Sequence, residues 1–218
     1  MSSFDVSCFP QCDGSCRYIE EGTFVLASVT GPLHSSEKSA SQDPLQGVVE
    51  VRCQLADRSA SDRVLVERRI EEYVSQTLSV AVDLAKFPRQ VVTVAVSVVF
   101  DDGRSNARRV AMNACVLALL DALVPLKALP LTVDCGDETI VTLDAATKDV
   151  LAFESNDVLF LEDLDDCFAT ANTKATALLD FFRSAADSHH GGTVAISDDW
   201  RQGPVGPEAG FAPPAALP

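Results

Sequence analysis

Residues 87–129 read FPRQVVTVAVSVVFDDGRSNARRVAMNACVLALLDALVPLKAL, and this stretch decides the fold. Pro88 closes whatever precedes it, because the residue before a proline is pushed out of the helical region. Residues 91–100, VVTVAVSVVF, form a nearly unbroken β-branched run of the kind expected of a strand buried on both faces. Asp101-Asp102-Gly103 is a turn signal. Residues 105–124 are rich in Ala, Leu and Val almost all round, so they predict a helix lying between other elements rather than on the surface.

Upstream, Asp13-Gly14 and Glu21-Gly22 are turn signals on either side of residues 15–20. With the apolar run TFVLASV at 23–29 they predict a β-hairpin, ended by Gly31-Pro32. A polar excursion over 33–46 leads to a third strand at 47–55, GVVEVRCQL, and a second polar loop follows at 56–62. The period then changes. Val66, Ile70, Val74, Thr77, Leu78 and Val82 recur every three or four residues, predicting an amphipathic helix with Asp62 as its N-cap. Downstream, 131–134, 139–143 and 158–161 predict short strands. A last helix over 164–185 turns Phe168, Ala171, Ala175, Leu178, Leu179 and Phe182 inward. Strands first and strand–helix alternation afterwards give an α+β class, with mixed sheets packed by helices. Residues 1–187 are expected to form one domain and 188–218 a flexible Gly/Pro-rich C-terminal tail.

The 218 residues carry 17 Lys and Arg against 32 Asp and Glu, a formal charge of −15 that disfavours stand-alone binding to a phosphate backbone. The charge is unevenly placed. Residues 50–110 hold ten of the basic residues and nine acids, whereas 131–187 hold thirteen acids and three bases. RNA contact is therefore expected on the first region, and a solvated or partner-facing surface on the second. Neither a basic leader with an apolar core nor a membrane-length apolar run is visible, so no membrane association is expected. Seven scattered cysteines fit free thiols in a reducing compartment.

Three patches together resemble one family. DGSCRYIEEGTFVLASVTGP at 13–32 resembles the opening hairpin of RNase PH-like proteins, with its Asp-Gly-Ser, Gly-Thr and Gly-Pro landmarks. Residues 87–129 resemble that family's strand, Asp-Gly turn and helix ending in Ala-Leu-x-Asp-Ala-x-x-Pro. TLDAATKDVLAF at 142–153 resembles a Leu-Asp-Pro-Thr-x-x-Glu stretch in one branch of ring subunits of the exosome, a multi-subunit RNA-degrading complex. The resemblance covers roughly residues 10–185 and implies an RNase PH-type domain (ribosomal protein S5 domain 2-like). It also implies a place in the hexameric ring of the eukaryotic RNA exosome, in the shorter lineage that is similar to the archaeal catalytic subunits. The partners implied are other RNase PH-like ring subunits in a hetero-hexamer, S1 or KH cap proteins and an associated 3′–5′ exoribonuclease. RNA would be met only indirectly, through the central channel. The localisation implied is the nucleus, including the nucleolus, and the cytoplasm, in support of rRNA maturation and RNA turnover.

The family's reaction attacks RNA with inorganic phosphate, which requires cationic donors for the phosphate and carboxylates for a metal or a proton. The resemblance places one phosphate-binding Arg at Asn106 and a second at Ser79. It places the paired carboxylates at Lys148 and Glu154, or at Asp149 and Ser155 in a register one residue on. Asn cannot form the bidentate clamp of Arg, and Lys inverts the charge of a carboxylate position. The expectation is a structural subunit with no catalytic residues, no cofactor and no metal. The alternative is an active phosphate-dependent 3′–5′ exoribonuclease in which Arg104, Arg108 or Arg109 reaches the phosphate by another path.

Other constellations read as ordinary structure. Cys8, Cys12 and Cys16 lack the tight pair and fourth ligand of a zinc or iron–sulfur site. His189-His190 reads as solvated tail, and His34 has no nucleophile or carboxylate partner for a triad. Glu162, Asp163, Asp165 and Asp166 suit a helix start, where the dipole favours carboxylates. Arg68 and Arg69 are expected to pair with Glu67, Glu71 and Glu72 on an exposed helix face. For Arg58 and Arg63 two readings stand open, contact with RNA in the ring channel and simple loop charge.

Overall fold

A computed structural model describes residues 2–34, 45–57, 62–103, 106–136, 139–155 and 161–200, with side chains described for 164–184 of the last stretch. The chain divides into two compact units, Met1–Leu179 and Asp180–Pro218. In the first unit β1 (Ser3–Val6), β2 (Gly14–Glu20), β3 (Thr23–His34), β4 (Val48–Leu55) and β5 (Gln90–Phe100) form one sheet in the order β1-β2-β3-β5-β4. All neighbours are antiparallel except β4 and β5, which run parallel and are joined through helix α1 (Arg63–Ala81). Helix α2 (Ala107–Asp121) follows β5, and β6 (Pro130–Asp134), β7 (Thr139–Asp144) and β8 (Val150–Ser155) make a second, antiparallel sheet. Helix α3 is recorded from Leu161 to Trp200, so it belongs in part to each unit.

The helix read as apolar all round is buried all round. Every residue from Arg108 to Leu119 is buried, with α2 packed against α1, β1, β2, β3 and β5 of the large sheet and against β6 of the small one. Burial on this scale is the main stabilising term available to a chain of this size. It also explains why a 15-residue segment with little surface polarity is helical here: tertiary packing, not exposed-helix propensity, holds it.

The quoted landmarks of the opening hairpin turn out to be the joint between the large sheet and the C-terminal end of α2. Asp121 Oδ2 accepts the backbone N–H groups of Ser7 (3.0 Å) and Ser15 (2.8 Å), while Oδ1 accepts the Ser7 hydroxyl (2.6 Å). Asp13 Oδ2 accepts the Gly31 N–H at 2.7 Å. Gly14 lies so close to α2 that a Cβ there would fall 2.4 Å from Ala118 O and from Ala122 N. At the other end of the hairpin, Gly22 (φ 89°) leaves room for Asp102, and Asp101 Oδ1 accepts both the Thr23 hydroxyl (2.9 Å) and the Gly103 N–H (3.0 Å). The two turns are thus locked together.

Several expectations need correction. Strand β5 alternates: Val92, Val94, Val96 and Val98 are buried against the helices, but Ala95 is exposed and Thr93, Ser97 and Val99 are half-buried. An all-apolar composition does not reveal that only one face is covered within the chain. Gly31-Pro32 does not end β3; a cis peptide and a register shift carry the strand through to His34. Asp62 occupies the N-cap position of α1 without a side-chain capping hydrogen bond, and Val66, expected on the buried face, is 38% exposed. The third strand of the small sheet is Val150–Ser155; of the strand expected at 158–161, residues 158–160 lie outside the described residues and Leu161 begins α3. Helix α3 also continues past residue 185. Gly191-Gly192 lower helix propensity without forbidding it, and no proline occurs between Leu161 and Pro204. Residues 201–218 of the expected tail lie outside the described residues, as does most of the polar loop at 33–46.

Gly14→Ala is expected to lower unfolding stability by about 2–3 kcal/mol, because backbone atoms rather than a flexible side chain would have to move. Urea denaturation of the two proteins measures this, and an unchanged midpoint would show that α2 is not seated on the hairpin as described.

Candidate functional site

Between α1 and β8 lies a half-open groove of about 470 Å³. Helix α1 contributes Arg69, Tyr73, Gln76 and Val80 to it, at the three- and four-residue spacing of one helix face, and β8 contributes Phe153 and Glu154. Tyr73 connects the groove to a buried, satisfied polar network. Tyr73 Oη and Thr142 Oγ1 are 2.6 Å apart, Thr142 Oγ1 and Thr132 Oγ1 2.7 Å, and Asn113 of α2 exchanges two hydrogen bonds with the backbone of Thr132. Burial pushes the Tyr73 phenol up to about 12, so it stays a neutral hydrogen-bonding group at physiological pH.

The residues singled out in the sequence are distributed as follows. Asn106 is the N-cap of α2, and its Oδ1 accepts the Arg108 N–H (3.1 Å) and the Arg108 Nε–H (3.2 Å). Arg108, 9% exposed, donates through Nη1 to Glu154 Oε1. Asn106, Arg108 and Glu154 therefore form one cluster at the groove. Ser79 is exposed on α1 and turns its hydroxyl back to Gln76 O (2.7 Å). Lys148 sits at φ 63° in the β7–β8 turn with Nζ 3.4 Å from Thr176 Oγ1 of α3. Asp149 is exposed beside it, and Ser155 Oγ meets Thr139 Oγ1 at 2.8 Å. Neither register of the expected carboxylate pair yields two acids facing one point.

The alternative cations are also committed to the fold. Arg109, 6% exposed, lies 3.0 Å from Glu20 Oε1, 3.2 Å from Glu21 Oε2 and 3.8 Å from Asp134 Oδ1. Burial disfavours its charge, but Glu20, Asp134 and Glu21 outweigh that and keep it firmly protonated. Arg104 and Arg58 lie outside the described residues. Arg63 Nε donates to Glu67 Oε1 (2.6 Å), which also accepts the Leu55 N–H (2.9 Å), so this arginine ties the end of β4 to the start of α1. The expected pairing of Arg68 and Arg69 with neighbouring acids is not realised. Glu71 accepts the Cys53 N–H and Glu72 the Gln76 amide, and both arginines are exposed. All seven cysteines are free; burial pushes Cys53 up to about 12 and raises Cys16 and Cys115 further. Among the described residues no group of three or more His, Cys, Asp or Glu could hold a metal, and no helix is long and apolar enough to cross a membrane.

A family model for the 3′ exoribonuclease family, RNase PH domain 1, matches residues 3–125. The chain belongs to the RNase PH family. It is 28% identical to the exosome complex component rrp46 of Schizosaccharomyces pombe over 137 residues, which cover 63% of this chain and 58% of that protein. It is 29% identical to the Caenorhabditis elegans RRP46 homologue, with 61% and 56% coverage. It is 30% identical to the Rrp41 component of Archaeoglobus fulgidus, with 61% and 52% coverage. The matched part thus spans a little over half the length of these relatives. Among solved structures, rice Rrp46 superposes with a TM-score of 0.70 at 22% identity, covering 84% of this chain and 93% of that one. An archaeal exosome core gives 0.65 at 18% identity, with 84% and 86% coverage. These likenesses establish the RNase PH-type α+β fold.

The third quoted patch has a structural role within that fold. Asp144 accepts the N–H of Leu129 (2.9 Å) and both the N–H (3.1 Å) and hydroxyl (2.9 Å) of Thr147. Burial alone would raise its pKa, but these hydrogen bonds outweigh burial and hold the carboxyl below the usual aspartate range. A depressed folded-state pKa stabilises the protein above the unfolded value, ordinarily about 3.9, and the gain is lost as pH falls through the folded value. Asp144→Asn is therefore expected to be less stable than wild type near neutrality, with the difference shrinking below about pH 4. Chemical denaturation of both proteins across that range checks the sign, and a difference that widens in acid would contradict it.

Proposed function

We propose that this chain is a non-catalytic structural subunit of an RNase PH-like hexameric ring of the RNA exosome, supporting 3′–5′ RNA processing and degradation. The observation that carries the reading is the fate of the cationic positions. Asn106, where the family resemblance asks for a phosphate-binding arginine, is spent as a helix cap, and Ser79 is bonded to its own helix. Arg108 and Arg109 are buried against carboxylates. An arginine contact to transition-state charge contributes several kcal/mol, so losing two such contacts removes useful turnover.

The names of the relatives, exosome components of yeast, nematode and archaea, support ring membership. The partners proposed are other RNase PH-like ring subunits, S1 or KH cap proteins and a separate 3′–5′ exoribonuclease, with RNA met through the central channel. Arg58 is the proposed channel contact, since Arg63, the other candidate, is held by Glu67. A ring also resolves the charge problem, because neighbours can supply the basic channel that a chain of −15 cannot. Free thiols support a reducing compartment, nucleus (including the nucleolus) or cytoplasm.

The alternative, an active phosphate-dependent exoribonuclease, is favoured by one fact: a rice relative, 31% identical over 123 residues, bears the name exosome complex exonuclease RRP46 homolog. The native mass of the complex that co-purifies with the tagged chain tests the assembly. A hetero-oligomeric ring is expected. A stable lone monomer would overturn ring membership, and a ring built of this chain alone would favour the enzyme.

A further inference from the structure

We propose that Cys135 and Cys167 form an oxidisable dithiol, which a low-molecular-weight disulfide of the glutathione type converts to an intramolecular disulfide that clasps the β6–β7 turn to helix α3. Neither residue lines the α1–β8 groove.

The two thiols are brought together by the fold. Cys135 is the first residue after β6, and its N–H donates to Thr139 O at 2.9 Å, closing the turn into β7. Its thiol donates to Cys167 O at 3.1 Å and also meets the Cys167 side chain. Cys167, 7% exposed, belongs to α3. Lys174, two turns further along the same helix face, places Nζ 2.9 Å from Asp134 O and 3.4 Å from Asp134 Oδ2. A second contact beside the thiol pair therefore holds turn and helix in register. The pair is also reachable. Cys135 is half-buried, and a Cβ at the following Gly136 would meet nothing within 4 Å, so the turn is open on its outer side.

This pairing stands apart from the other thiols. Cys16, Cys53 and Cys115 are buried in the interior, away from a dissolved reagent, and Cys8 turns to Asp5 O. Two thiols are half of a structural zinc set, and among the described residues no third His, Cys, Asp or Glu joins them. Oxidation is the chemistry left to two facing thiols. Cys135 loses its proton and attacks one sulfur of the external disulfide; a mixed disulfide forms and one thiolate leaves. Cys167 then loses its proton and attacks the Cys135 sulfur, so the Cys135–Cys167 bond forms and the second thiolate leaves. The departing thiolates take up the two protons, and one external disulfide is reduced to two thiols as two cysteines are oxidised. Burial above all, and then the neighbouring Cys167, push the Cys135 thiol up to about 12, with Lys174 opposing the rise and Asp134 adding to it. Thiolate is scarce near neutrality, which makes exchange slow. The pair follows a sustained change in the thiol–disulfide ratio rather than a brief pulse.

The test takes the full chain, fully reduced, and equilibrates it with glutathione and glutathione disulfide over a range of ratios. Remaining thiols are trapped by alkylation and the products mapped by peptide mass spectrometry. The expected product links Cys135 to Cys167. Because the link joins residues 32 apart in sequence, it restricts the unfolded chain. The oxidised protein is therefore expected to melt roughly 5–10 °C above the reduced one, and Cys135→Ser is expected to abolish both the link and the gain. A stable glutathione adduct on Cys135 without the link overturns the proposal. So does a link to another cysteine, or a linked chain that melts no higher than the reduced one. Should Cys135→Ser not fold, phenylarsine oxide probes the wild type directly, since it bridges two close thiols with release of water. Joint protection of Cys135 and Cys167 from alkylation then supports the proposal, and alkylation at the unprotected rate overturns it.

Discussion

The rest of the structure depends on the burial of α2. A helix with no polar face can exist in water only if both sides are covered, and here the large sheet covers one side and the small sheet the other. Everything that identifies the family serves that requirement. Gly14 lets the hairpin approach the helix backbone, and Asp121 ties the helix end to Ser7 and Ser15. Asn113, a buried amide mid-helix, is satisfied by the backbone of β6. Asp144 holds the turn that returns the small sheet.

The same constraint shapes what the chain can do. The N-terminus of α2 is where two guanidinium groups gather, and a family built on phosphate chemistry has an obvious use for such a place. In this chain the charges face inward. Arg109 is surrounded by Glu20, Glu21 and Asp134, and Arg108 is matched by Glu154 from β8. Buried ion pairs of this kind add little net stability, but breaking one side is costly, so they persist once established. The landmark residues Gly14 and Asp121 lie at the C-terminal end of α2, while Asn106, Arg108 and Arg109 lie at its N-terminal end, so the proposed loss of the reaction leaves the contacts that seat the helix in place.

Much of this was legible in the sequence. The strand, turn and helix at 87–129, the hairpin and the β4–α1–β5 unit are signalled by local patterns of apolar residues and turn residues. What was not legible required contacts across the chain. One-sided covering of β5 cannot be read from a run of valines. The strand Val150–Ser155 carries too little alternation to announce itself before its partner β7 is known. The Arg108–Glu154 pair joins residues 46 apart in sequence, and no local pattern signals it. Tyr73 and Arg69 lie on a helix whose period was visible, but the groove they line exists only where β8 packs beside it.

The central claim is that a chain with the RNase PH fold lacks the family's reaction. It is tested most directly by incubating the purified chain, alone and within its ring, with RNA in the presence and absence of inorganic phosphate and measuring nucleoside diphosphates. The account predicts no phosphate-dependent release from either preparation once any separate exoribonuclease is removed. Release that requires phosphate and disappears on mutating Arg104 or Asp149 would contradict it.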